Sequence, residues 1–123
     1  AEGGMSTLPA AALLVQGGPA AGTKVALRGQ LTTCGRGPLN DIVVEDTGVS
    51  RQHFAVRREE RGYWIADLGS RNGTLVNGTQ LGHEPQRLRR LDRIEIGGMS
   101  TPMRWGFIEE EEQPETAEMP RPV

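Results

Sequence analysis

The chain has 123 residues, a mass of 13.3 kDa and a formal charge of −2, which fits one domain and excludes a second of ordinary size. No apolar run approaches the ~18–20 residues that span a bilayer; a lone cysteine excludes an internal disulfide framework, and two histidines beside it are too few for a structural zinc site. Residues 109–123 hold six glutamates against Arg121, so residues 1–108 carry only +3, too little for a strongly basic nucleic-acid binder.

In chain order, residues 1–9 lack periodicity and are expected to form a flexible leader, the part before Met5 reading as a cloning remnant. Short β-prone runs then recur at 10–16, 23–28, 31–35, 41–45, 53–58, 62–68, 74–76, 86–89, 92–97 and 101–108. Glycine- and asparagine-rich turns separate them, among them Gly17-Gly18-Pro19, Asp46-Thr47-Gly48, Asn77-Gly78 and Gly97-Gly98. Apolar residues alternate with polar ones at Val25/Leu27, Phe54/Val56, Ile94/Ile96 and Met103/Trp105/Phe107, as half-buried strands require. Tyr63 to Leu68 is apolar on both sides and predicts a central strand. No window has helical spacing, so the chain reads as an all-β sandwich or barrel over 10–108. Residues 109–123 read as an acidic, disordered tail.

The unusual chemistry lies in three loops. Gly35-Arg36-Gly37-Pro38-Leu39-Asn40-Asp41 sets one arginine between glycines. Val49-Ser50-Arg51-Gln52-His53 pairs a hydroxyl with a guanidinium just before a strand. Gly69-Ser70-Arg71-Asn72-Gly73-Thr74 repeats that pair and adds a carboxamide; with Val76-Asn77-Gly78 it gives two Asn-Gly steps that favour positive φ. Arg36, Arg51 and Arg71, with Ser50, Ser70 and Thr74, offer many donors and permanent positive charge, an inventory suited to a phosphoryl dianion. Thirteen of the 14 basic residues are arginine, whose planar fork fits phosphate bidentately. Asn72 both donates and accepts, which suits the main chain of an extended peptide. A sandwich gathers its loops at two ends, so loops distant in sequence can meet at one.

These residues also carry a family resemblance. Gly35-Arg36, Asn40-Asp41-Ile42-Val43-Val44, Ser50-x-x-His53, Asp67-Leu68-Gly69-Ser70-Arg71-Asn72-Gly73-Thr74 and Val76-Asn77-Gly78 together resemble the forkhead-associated (FHA) domain, in order and at its spacing over about 31–97. The resemblance implies a β-sandwich of about eleven strands with its ligand loops at one end. It implies a phosphothreonine-peptide-binding adaptor that performs no catalysis and needs no cofactor or metal. By position, Arg36 and Ser50 would hold the phosphate, Arg51 and Arg71 would contact phosphate or neighbouring peptide, and Asn72 would pair with the peptide main chain. Gly35, His53, Gly73 and Asn77 would support the loops. Arg71 stands where the family often has threonine or another small residue, and Leu91, before Asp92, where it often has glycine.

The implied partner is a phosphothreonine-containing protein, a Ser/Thr kinase or its substrate, bound by a cytoplasmic monomer that engages neither membrane nor nucleic acid. The arginine-rich, lysine-poor composition suggests a bacterial source. The alternative is a phospho-independent interaction or assembly module of the same fold. Two smaller readings remain: Thr116 as a phospho-ligand for its own domain, and Cys34 as a thiol whose pKa the neighbouring Arg36 lowers.

Overall fold

In a computed structural model of the chain, the described residues are 10–100 and 103–110. The expected leader, Thr116 and the tail from residue 111 lie outside them. Eleven strands follow one another: β1 (Ala10–Gln16), β2 (Lys24–Ala26), β3 (Leu31–Gly35), β4 (Ile42–Val43), β5 (Phe54–Glu59), β6 (Gly62–Asp67), β7 (Thr74–Val76), β8 (Thr79–Gln80), β9 (Gln86–Arg87), β10 (Arg93–Ile96) and β11 (Arg104–Glu110). They form a six-stranded sheet in the order β2-β1-β11-β10-β7-β8 and a five-stranded sheet in the order β4-β3-β5-β6-β9. Neighbours are antiparallel except β3 and β4.

The apolar alternation does the packing. Leu13 and Val15 of β1, Ile94 and Ile96 of β10, and Trp105 and Phe107 of β11 point inward from one sheet. Phe54, Val56, Tyr63 and Ile65 point inward from the other. The sheets meet ring to ring: Phe54 sits edge-on to Trp105 with centroids 5.6 Å apart, and Tyr63 lies 5.4 Å from Phe107. Cys34 is fully buried there, and burial pushes its thiol up to about 12, the reverse of the shift its arginine neighbour suggests. The backbone, rather than the side-chain neighbour, decides this: β3 alternation turns Cys34 inward and leaves Arg36 in the loop beyond.

Two elements depart from the expected pattern. β8 has no apolar signal because Thr79 and Gln80 are both exposed. It exists because Asn77 (φ 53°) and Gly78 (φ 84°) make a two-residue primed turn that folds Thr79 back onto Val76. β11 runs on to Glu110, so Glu109 and Glu110, expected as tail, pair with Ala11 and Ala10. The seven-pair ladder with β1 gives their backbone groups partners.

Candidate functional site

The hairpin ends bring three loops to one pole: residues 36–41 after β3, residues 44–53 before β5, and residues 68–73 between β6 and β7. The turn after β10, residues 97–100, joins them.

The first and second loops are laced through their backbones. The Arg36 N–H donates to the Ser50 carbonyl at 2.9 Å and the Gly37 N–H to the Arg51 carbonyl at 3.1 Å. The Asn40 amide donates to the carbonyls of Gly37 and Arg51 at 2.8 and 2.7 Å. A Cβ on Gly35 would overlap the Arg51 carbonyl, so only glycine permits this approach. Arg36 is exposed, but its Nε donates to the carbonyl of Val49, the residue before Ser50, at 3.0 Å, which ties the guanidinium to the second loop.

The second and third loops meet at Ser50 and His53. The Ser50 hydroxyl oxygen accepts the Arg71 N–H at 3.0 Å. His53 is fully buried; its Nδ1 accepts the Ser50 N–H at 3.1 Å, and its Nε2 lies 2.8 Å from the Gly73 carbonyl. The first contact requires an unprotonated Nδ1, so the proton sits on Nε2 and donates to Gly73. One ring thus bridges two loops 20 residues apart. The Gly73 carbonyl also accepts the Gly97 N–H at 3.0 Å.

Asn72 donates through Nδ2 to the Gly48 carbonyl at 2.8 Å. Gly98 lies against it: its φ is +77°, and a Cβ there would strike the Asn72 side chain. Asp46 holds the same corner, accepting the N–H groups of Gly48 and Ser100.

Ser70 and Thr74, counted from sequence among the donors, serve a different purpose. The Ser70 hydroxyl donates to Asp67 at 2.6 Å and the Thr74 hydroxyl at 2.7 Å, and the Ser70 N–H completes the set at 2.9 Å. The Ser70 oxygen then accepts the Gly73 N–H at 2.9 Å. Burial alone would raise the Asp67 carboxyl, but these hydroxyls and the Ser70 N–H outweigh it and hold it below the ordinary 3.8. Asp67 is therefore the knot of the third loop, a residue the motif contained without a stated role. The legible signal was Asp-x-x-Ser, a carboxylate placed to collect the turn that follows it.

Of the residues singled out from sequence, Arg36, Ser50, Arg71 and Asn72 are thus linked through direct contacts or one intervening residue, with Arg51 exposed beside Gly37. Gly35, His53 and Gly73 knit the loops. Asn77 is the exception. It stands at the opposite end of β7, where it donates to Asp92 at 2.8 Å and accepts the Arg93 N–H at 2.9 Å. It braces the β7–β8 turn against β10, because three strand residues separate it from Gly73. The two Asn-Gly steps also differ: only Asn77-Gly78 has positive φ at both residues, while at Asn72-Gly73 the glycine alone does. The residues that sequence reasoning missed, Asp46, Gly48 and Gly98, act through contacts spanning up to 54 residues.

Comparison with known proteins agrees with this architecture. The family model for the FHA domain matches residues 32–97, more than half of the chain. The oxoglutarate dehydrogenase inhibitor of Corynebacterium diphtheriae is 40% identical over 102 residues, covering 79% of this chain and 68% of that protein. The glycogen accumulation regulator GarA of Mycobacterium tuberculosis is 37% identical over 99 residues, covering 79% and 60%. The chain thus spans roughly two thirds of the length of such curated relatives. An FHA domain solved in a study of phosphothreonine-dependent FHA domain interactions superposes with a TM-score of 0.70 at 29% identity, over 82% of this chain and 97% of its own. With motif, sandwich and loop geometry in agreement, the chain belongs to the FHA domain family.

Proposed function

We propose that this domain is a phosphothreonine-binding adaptor that recruits phosphorylated protein partners in kinase signalling. The observation that carries the reading is that the Ser50 hydroxyl accepts the Arg71 N–H while the Arg36 Nε is tied to the carbonyl of Val49, the residue before Ser50. A hydroxyl whose oxygen accepts from Arg71 is left to donate its proton outward, toward a phosphate oxygen. Arg36, with Nε occupied, presents its terminal nitrogens to the same phosphate as a fork. Arg51 and Arg71, both exposed, add charge at the rim. Asn72, whose amide N–H is used on Gly48, offers its Oδ1 to an N–H of the peptide main chain after the phosphothreonine. Gly35, His53 and Gly73 hold these groups in place before the ligand arrives, which lowers the ordering cost of binding.

The domain acts by binding and not by catalysis, in keeping with relatives named as an inhibitor and a regulator. We place it in the cytoplasm as a monomer. Among the described residues no helix is long and apolar enough to cross a membrane. The partner is a Ser/Thr kinase or one of its substrates.

Titration calorimetry with paired peptides, phosphothreonine against unmodified threonine, tests the reading. Tight binding of the phosphorylated member alone is expected, fading below about pH 6 as the phosphate gains its second proton. Equal affinity for both members would favour the phospho-independent module.

A further inference from the structure

β6 is apolar on both faces, but the second sheet packs on only one. Tyr63 and Ile65 enter the core, while Trp64 and Ala66, with Leu68 beyond the strand, face outward. On that outer face lies a groove of about 780 Å³. Its floor is the cross-strand pair Ala55 and Ala66; the next row holds Leu31 and Trp64 on either side of Arg57. The small pair beside the large row is what opens the trough. Leu31 is 51% and Leu68 40% exposed, and Trp64 is half-buried. Alternation on a solvated sheet face calls for polar residues at these positions. An apolar floor ringed by charge has the anatomy of an interface. Arg57 pairs with Glu59 at 3.6 Å, and Glu60, Arg61 and Glu84 close the end away from the loops.

The other end reaches residues that flank the loops of the proposed phosphate site. Gln52 adjoins Arg51, and Leu68 adjoins the loop that carries Arg71 and Asn72. We propose that this trough receives the apolar segment of the same partner chain that flanks its phosphothreonine, laid extended along β5 and β6. The inference rests on the phosphothreonine reading. From Leu68 to Arg61 an extended chain needs about seven residues at ~3.3 Å each. A chain already held at the loops presents that segment at high effective concentration, so a modest apolar contact adds measurably to affinity. A free second molecule has no such advantage, which is why the tethered segment is the occupant.

Two probes titrated into the full chain test this. The short probe is a phosphothreonine with three residues on each side. The long probe adds eight residues with leucine at alternate positions, N-terminal in one version and C-terminal in the other. One long version is expected to bind at least tenfold tighter than the short probe and to shift tryptophan emission to the blue. Trp105 is already fully buried, so Trp64→Phe should abolish the shift. Ala66→Arg plugs the trough and Leu31→Glu charges it. Each should erase the tenfold gain while leaving short-probe affinity within twofold, which also verifies that the variant folds.

Both long versions binding no better than the short probe would overturn the trough proposal and leave the phosphothreonine reading standing. No binding of the short probe, with long probes indifferent to phosphorylation, would overturn that reading and this proposal with it. A wild-type dimer in sedimentation that Ala66→Arg dissociates would also overturn it, assigning the face to a second copy.

Discussion

Arg36 shows how a single side chain acquires a role from its surroundings. Its backbone N–H and its Nε both bond to the second loop, so the head is held by the stretch that carries Ser50. Arg36→Ala should weaken phosphothreonine-peptide binding by about 2–5 kcal/mol, the range for truncating one partner of a hydrogen-bonded charge pair. Calorimetry measures the loss; the urea midpoint should barely move, because the side chain is exposed. Asp67 makes the complementary case, since its carboxylate bonds Ser70 and Thr74 and so organises the third loop. Its folded carboxyl titrates below its unfolded value near 3.8. The stabilisation is therefore complete only well above that unfolded value, above about pH 5, and is lost as pH falls through the folded value. Asp67→Asn should lower the melting temperature at pH 7 and flatten the acid limb of the stability–pH profile measured by circular dichroism. An unchanged acid limb would exclude Asp67 as its source.

Among the elements, turns carry the most information. Leu91 sits at φ 71° and is 70% exposed, at the position where the family often has glycine. A left-handed conformation costs a side-chain-bearing residue roughly 1–2 kcal/mol, and the extra backbone entropy of glycine returns part of that. Leu91→Gly should thus stabilise the domain by about 0.5–1 kcal/mol in urea unfolding, with peptide affinity unchanged. Gly98 is the opposite case. Gly98→Ala meets both a positive φ and the Asn72 side chain, so it should cost about 2 kcal/mol of stability and also weaken peptide binding by displacing Asn72. Stability and affinity that both match the wild type would show that Gly98 does not position Asn72. Legibility differs for the same reason. The strands with buried alternation, such as Phe54/Val56 and Ile94/Ile96, stand out because burial imposes a period of two. β8 does not, because two exposed polar residues carry no period and follow solely from the turn before them.

At the scale of the molecule, the sandwich lets short strands return the chain to one pole repeatedly. The residues that meet at the loop pole were readable because each lies within a few residues of a glycine or asparagine marker: Arg36 between Gly35 and Gly37, Asn72 before Gly73. The supports were not. The Asp46–Ser100 and Asn72–Gly48 contacts join residues 54 and 24 apart, and no local pattern encodes which loops will share a corner. Asn77 has the same Asn-Gly marker as Asn72 yet lies at the other end of β7, because strand length decides which pole a turn occupies. Cys34 was legible as a residue but not in its state, since its thiol follows the inward face of β3 and not its charged neighbour.

Backbone chemical-shift mapping during titration with a phosphothreonine peptide reads this architecture at every loop in one spectrum. The amides of Arg36, Ser50, Arg71 and Asn72 should shift together along one saturation curve, while Asn77 and Asp92 stay in place. Shifts spread over both poles, or confined to the Asn77 end, would contradict a single phosphate site built from three converging loops.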